Sequence, residues 1–327
     1  MDYLFAPMEG ITLAQYRKLH HKMFPGTAEY YTPFIAPDSR GSFKSKYLSE
    51  LMTDRGEVNV IPQLLVNNAE AFNATAKQMY ALGFSVINLN AGCPSGTVYS
   101  KHKGAGMLAD PDTLDRILDE IFDCAEKNGY RISIKTRMGV HSTEEFSKLL
   151  NVYNRYPIEK LIVHARARDG YYKSTPDMAG FSEAVSRSRA ELCYNGDIYS
   201  EDDLKKLKKS APEVDKIMIG RGVVANPALI RVLQGGPQLQ IEELRTFHDT
   251  LLKTWLESGL SPNFTVERMK TLWSYMEVLF SNGKREKKAI MKARGLDQYL
   301  EAVSILMKSG VFDPQQKANL EREEDRQ

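Results

Sequence analysis

Of the three cysteines in the 327-residue chain, Cys93 stands in the setting best suited to chemistry. It follows Asn88-Leu89-Asn90-Ala91-Gly92 and precedes Pro94, so glycine and proline fix a tight turn in which its sulfur can face a substrate. A thiol with an ordinary pKa of about 8.5 can hand over a proton close to neutrality. Further groups with chemical capacity come in short runs: Pro7-Met8-Glu9-Gly10, Gln63, Lys135-Thr136-Arg137-Met138-Gly139 and His164-Ala165-Arg166. Asn195-Gly196-Asp197 and Gly220-Arg221-Gly222 add glycine-permitted backbone N–H groups and a cation, the means of holding a phosphate. The cysteines Cys93, Cys124 and Cys193 form an odd, sparse set with no CxxC, which argues against a disulfide framework and against a structural zinc site, and no metal is expected.

Runs so scattered in sequence need a frame that collects them. Short apolar, β-rich stretches fall at 3–6, 28–32, 58–65, 86–89, 131–136, 160–164, 192–194 and 216–219, which makes eight candidate strands. Amphipathic stretches lie between them, as at 68–82 and 111–128. In the second of these, Leu114, Ile117, Leu118, Ile121 and Phe122 share a face at helical spacing, and Asp110-Pro111 supplies an N-cap and a proline at N1. Eight alternations fit a (β/α)8 TIM barrel, a fold of roughly 250 residues whose functional groups stand just past the C-terminal strand ends. Seven of the eight strands end in one of the runs named above. A doubly wound sheet usually has fewer parallel strands, and no GxGxxG follows any strand here.

After Gly235-Gly236-Pro237 the alternation stops. Leu244, Phe247, Leu251, Leu252 and Trp255 make one helical stripe, and Met269, Leu272, Trp273, Met276 and Phe280 make another. The expected organisation is therefore a barrel domain over 1–235 and a small all-helical C-terminal domain over 236–327, with a polar tail fraying from Gln315. Net charge is only +2, so any polyanion site must come from local clustering. Residues 284–294, KREKKAIMKAR, hold six basic residues against one acidic, and Arg268 and Lys270 stand near Trp273 and Tyr275. With neither a signal peptide nor an apolar run of about 18 residues, the expectation is a cytoplasmic monomer without membrane attachment.

The order APMEG, NxNxGCP, KxRxG, HxR, NGD and GRG resembles the tRNA-dihydrouridine synthases over roughly 6–227, with NxGCP its most specific part. The run Val266-Glu267-Arg268-Met269-Lys270-Thr271-Leu272-Trp273-Ser274-Tyr275 is similar to the helical RNA-binding domain of bacterial members. The resemblance implies reduction of the C5–C6 double bond of a uracil in tRNA. FMN, reduced by NADPH, would deliver hydride from N5 to C6, and Cys93 would protonate C5. Lys135 and His164 match residues that contact the flavin ring, where a cation stabilises the anionic reduced form. Gln63 matches a side chain on the flavin pyrimidine edge, and Pro7, Met8 and Glu9 match the ring lining. Asn195, Gly196, Asp197, Gly220 and Arg221 fall where the phosphate is expected, and a single phosphate site favours FMN over FAD. Asn90, Arg137 and Arg166 match substrate-side residues, and Tyr171-Tyr172 offers rings for stacking. Arg268 and Lys270 match the RNA platform.

The glycine-punctuated basic loop 95–106 reads as a mobile lid carrying Cys93. Two departures stand near the barrel mouth: Thr32-Pro33-Phe34, where many members carry Thr-Glu, and Asp177-Met178-Ala179-Gly180-Phe181, where an Asp-Trp pair is usual. A dihydroorotate-dehydrogenase-like barrel acting on a free pyrimidine is the enzyme alternative, dihydrouridine formation on ribosomal RNA another, and a non-catalytic RNA-binding barrel a third.

Overall fold

The computed structural model describes residues 1–53 and 55–315. Nine strands form one sheet: β1 (Asp2–Phe5), β2 (Thr27–Tyr31), β3 (Val60–Ile61), β4 (Gln63–Leu64), β5 (Val86–Ala91), β6 (Arg131–Gly139), β7 (Lys160–Ala167), β8 (Leu192–Asn195) and β9 (Lys216–Ile219). Their order is β3-β2-β1-β9-β8-β7-β6-β5-β4. The pairing of β2 with β3, and every pairing from β4 round to β9, is parallel. This is a nearly closed TIM-barrel-like sheet, as the alternation predicts, with one correction to the strand count. The single strand expected over 58–65 is two segments, because Pro62 has no N–H for the ladder. β3 pairs with β2 and β4 with β5, so the sheet closes through this interrupted stretch.

Alternate residues of a strand face opposite sides, and one set here fills the barrel: Leu4, Ala6, Tyr31, Ile61, Ile162, Cys193 and Met218. Burial of each large side chain in this cluster contributes about 1.5–3 kcal/mol. Two residues on from Ile162 is His164, and two on from Cys193 is Asn195. The interior row therefore turns from apolar to polar at the C-terminal strand ends.

The helices start and stop where the sequence signals fall. Helix Ala69–Ala81 begins at Asn68, whose side chain accepts from the Ala71 N–H at 2.8 Å. Helix Pro111–Asn128 begins with proline after Asp110, which accepts from the Asp112 and Thr113 N–H groups, and ends at Gly129 with φ 79°. Its buried face is Leu114, Leu118, Ile121, Phe122 and Ala125, with Ile117 half-buried.

Two compact units make up the chain, and neither is a continuous stretch. The first comprises 1–7, 28–196 and 205–218, which holds the strands apart from Thr27 and Ile219. The second comprises 8–27, 197–204 and the described residues from 219 onward. In the second unit helix Ala14–Met23 packs on helix Ile241–Glu257, with the Tyr16 and Phe247 rings edge-on at 5.3 Å. Helices Pro262–Met276, Lys284–Lys292 and Leu296–Ser309 follow. All residues of both expected apolar stripes are buried. At the centre of this helical core the Tyr299 hydroxyl accepts from Trp273 Nε1 at 2.9 Å and lies 2.6 Å from His248 Nε2. Among the described residues no helix is long and apolar enough to cross a membrane, and no cluster of ligating side chains could hold a metal. The expected fraying tail lies, from residue 316 on, outside the described residues.

Candidate active site

Register brings the polar strand ends of the first unit level with one another. Gln63 pairs with Asn88, Asn90 with Lys135, Arg137 with His164, and His164 with Asn195. A buried amide relay runs through this rim. Asn88 Nδ2 donates to Ser133 Oγ at 2.8 Å, and Gln63 Nε2 donates to Asn88 Oδ1 at 2.7 Å. Asn90 Nδ2 then donates to Gln63 Oε1 at 2.8 Å. The relay ends at the cysteine turn, where Asn90 Oδ1 accepts the backbone N–H groups of both Gly92 and Cys93 at 3.0 Å. Both lone pairs of that oxygen are thus engaged, and Asn90 acts first on the turn that presents the half-buried Cys93. Gln63 keeps one amide proton to donate.

Lys135, on the strand beside Asn90, has no side-chain or backbone partner for its ammonium among the described residues. Burial pushes its pKa from 10.5 down to about 8; Arg137 adds to the shift, and the sulfurs of Cys193 and Cys93 oppose it. A cation left without a counter-charge in such a place fits a group that brings negative charge or acceptor oxygens. Arg137 is buried and spent on carbonyls: its Nε donates to Gly92 O at 3.1 Å, and its Nη1 to Ala167 O at 3.0 Å and Tyr171 O at 2.8 Å. It braces the cysteine turn against the segment after β7.

Arg166 Nη1 lies 3.1 Å from His164 Nε2, and its Nε donates to Ser174 O. A guanidinium can only donate, so His164 Nε2 accepts, which holds the imidazole in the Nδ1–H tautomer. The Tyr172 ring lies 5.8 Å from the His164 ring, and the Arg137 guanidinium lies 5.4 Å from the centre of the Tyr172 ring. Asn195 Nδ2 donates to Met218 O at 2.9 Å, and Gly196 lies so close over the Tyr194 hydroxyl that a Cβ would stand 2.1 Å from it.

The loop expected to be a lid is tied down at several points. It opens with the short helix Gly96–Tyr99 and returns as a 3₁₀ turn, Gly104–Ala109. Ala105 N–H donates to Cys93 O at 3.0 Å, and Asn67 Nδ2 to Lys101 O at 2.9 Å. Gly104, with φ 57°, lies against the cysteine itself, where a Cβ would sit 2.8 Å from Cys93 Cβ.

Pro7 ends the first stretch of the first unit, and the remaining expected residues belong to the second. Met8 N–H donates to Thr12 Oγ1 at 2.8 Å, and Glu9 is exposed. Arg221 donates to Asp197 at 2.7 Å, and Gly220 immediately precedes helix Arg221–Ala225. Arg268 lies over the Trp255 and Phe264 rings, at 5.1 Å from each. Lys270 is buried, with its ammonium 2.6 Å from Glu267. On helix Lys284–Lys292 and just beyond it, Lys284, Arg285, Lys288, Lys292 and Arg294 are exposed.

Sequence reasoning missed Asn88 and Ser133 in the relay, and also Arg168 and Tyr99, which meet at 4.2 Å beside the cysteine loop. The signal for Asn88 was available: it stands two before Asn90 on one strand, hence on the same face. Arg168 likewise stands two beyond Arg166.

Comparison with known proteins agrees with this geometry. The family model "Dihydrouridine synthase (Dus)" matches residues 4–305. A probable tRNA-dihydrouridine synthase 2 of Bacillus subtilis is 27% identical over 238 residues, covering 69% of this chain and 70% of that protein. The tRNA-dihydrouridine(16) synthase of Pseudomonas putida is 28% identical over 305 residues, covering 88% of this chain and 93% of that protein. A solved structure of morphinone reductase in complex with tetrahydroNAD superposes with a TM-score of 0.50 at 12% identity, over 73% of this chain and 87% of that one, a likeness of fold. The chain belongs to the dihydrouridine synthase family.

Proposed function

We propose that this protein is a tRNA-dihydrouridine synthase, reducing the C5–C6 double bond of a uridine in tRNA with FMN bound in the barrel and NADPH as reductant. The observation that carries the reading is the placement of Cys93 and an uncompensated Lys135 at neighbouring strand ends of a chain matched almost throughout by the family model. Lys135, His164 and the remaining Gln63 proton would hold the flavin ring, and bound FMN would supply hydride there. The Lys135 ammonium, present below about pH 8, would meet negative charge on the ring. The Nδ1–H tautomer of His164 offers a donor, and Arg166 keeps it so.

Cys93 holds the proton that ends on C5, and the relay through Asn90 fixes the turn from which it is given. Asn90, Arg137 and Arg166 take part on the substrate side chiefly as supports of that turn and of His164. Roles for Pro7, Met8 and Glu9 at the ring, and for Asn195, Gly196, Asp197, Gly220 and Arg221 at phosphate, rest on their motifs. In the second unit Arg268 and the exposed cations of helix Lys284–Lys292 would meet RNA phosphates, while the buried Lys270, paired with Glu267, would serve that platform as a support. The enzyme would work on tRNA in the cytoplasm, as a monomer.

Replacing the thiol tests the assignment. Cys93→Ala is expected to keep flavin and tRNA binding while its dihydrouridine formation falls by about 10²–10⁴-fold, the usual weight of a positioned acid. Turnover at the wild-type rate would remove Cys93 from the chemistry.

A further inference from the structure

Arg168 joins two segments that each carry part of the site. It follows β7 directly, two residues beyond Arg166, and its side chain turns across to the cysteine loop. Its guanidinium lies 4.2 Å from the centre of the Tyr99 ring, at the end of the helical turn that follows Cys93. Its Nε donates to Pro94 O at 3.2 Å, one residue from the cysteine. On its own side it lies 5.4 Å from the Tyr171 ring and pairs with Asp169 at 2.7 Å. His141, from the segment after β6, holds the other oxygen of Asp169 at 2.7 Å, so the anchor of the clamp is itself fixed. Tyr171 has φ 44°, a costly conformation for a tyrosine that the neighbouring contacts maintain.

We infer that Arg168 is a positioning residue for Cys93, clamping the 94–99 segment to the end of β7 so that the thiol stays over the rim formed by Lys135 and His164. A cation over an aromatic ring is non-directional about the ring axis, but the Nε bond to Pro94 O fixes the register of the loop. The clamp makes no use of the relay through Asn90. The turn is thus held at Gly92 and Cys93 by Asn90 and at Pro94 by Arg168. This inference deepens the reading of Cys93 as the proton donor and rests on it.

The test follows alkylation of Cys93 by iodoacetamide in the flavin-loaded protein, read by mass spectrometry, with Cys124 of the same sample as internal control. Arg168→Ala is expected to raise the Cys93 rate about tenfold, the weight of one partly desolvated cation–π contact, and to leave Cys124 unchanged. Tyr99→Leu is expected to give part of that rise, because the Nε bond to Pro94 O remains, and Tyr99→Phe to keep the wild-type rate, since the ring face is what the guanidinium meets. Arg168→Ala with Tyr99→Leu is expected to match Arg168→Ala alone. On tRNA, Arg168→Ala is expected to lower kcat with little change in KM, while flavin bleaching by NADPH keeps its rate. Cys93 alkylation within twofold of wild type in Arg168→Ala, or equal rates in Tyr99→Leu and Tyr99→Phe, would overturn the clamp. A rise in KM alone would make Arg168 an RNA contact instead. Absence of dihydrouridine with the wild-type protein would fail the functional reading and leave the alkylation result standing on its own.

Discussion

Lys135 is the residue whose ionisation the fold disturbs in a useful direction. Burial lowers its pKa to about 8, so the folded protein holds the ammonium below that pH and releases its proton above it. An acceptor oxygen of the oxidised ring favours the charged lysine, so binding takes up a proton at higher pH and becomes weaker there. The affinity of flavin-free protein for FMN, followed by quenching of flavin fluorescence, is therefore expected to stay flat to about pH 8 and then fall by up to tenfold per pH unit. Lys135→Met should bind more weakly and lose that pH dependence; an unchanged profile would remove Lys135 from the flavin's surroundings. At this scale the sequence was legible wherever a side chain ends a strand: Cys93, Lys135 and His164 all stand on one rim. It was not legible where a side chain serves the protein's own turns. Asn90 and Arg137 read as substrate contacts, yet most of their hydrogen bonds go to the backbone of the cysteine turn and its neighbours. The carbonyls that Arg137 meets lie 30–45 residues away in sequence, and no local pattern encodes them.

At the scale of elements, the cysteine loop is held by close packing as well as by hydrogen bonds. Gly104 combines a positive φ with a position where any Cβ would press on Cys93. Gly104→Ala is expected to cost about 1–3 kcal/mol, seen as a lower Tm, and to reduce dihydrouridine formation through displacement of the thiol. A Tm equal to wild type would show that the loop relaxes freely around the change. Helix limits were readable because caps are local chemistry, as Asp110-Pro111 and Gly129 show for the helix between them. The break of the third strand at Pro62 was also written in the sequence, since proline cannot serve a central ladder, but the apolar run on both sides of it masked the signal. The tethers of the 95–106 loop were not readable, because its polarity and glycines describe equally a free loop and one packed against a cysteine.

At the scale of the molecule, the alternation of strands and helices carried the fold class, and the apolar stripes carried the helical core. The composition of the two compact units did not follow, because the second takes in helix Ala14–Met23, whose partner helix Ile241–Glu257 lies more than 200 residues later. Burial also divides the basic residues of this unit by role. Lys284→Glu combined with Lys288→Glu changes two exposed cations and is expected to weaken tRNA binding and reduce its salt slope by about two, with flavin bleaching by NADPH unaffected. Lys270→Glu replaces a buried, paired ammonium beside Glu267 and is expected to lower Tm more than it alters the salt slope. A salt slope untouched by the double change would move the RNA platform elsewhere. The most direct test of the whole account is the absorbance spectrum of the purified protein, followed on NADPH addition with uridine-containing tRNA present. The account predicts oxidised-flavin bands that bleach with NADPH, with dihydrouridine appearing in the tRNA; a protein that is colourless and cannot be reconstituted with FMN would contradict it.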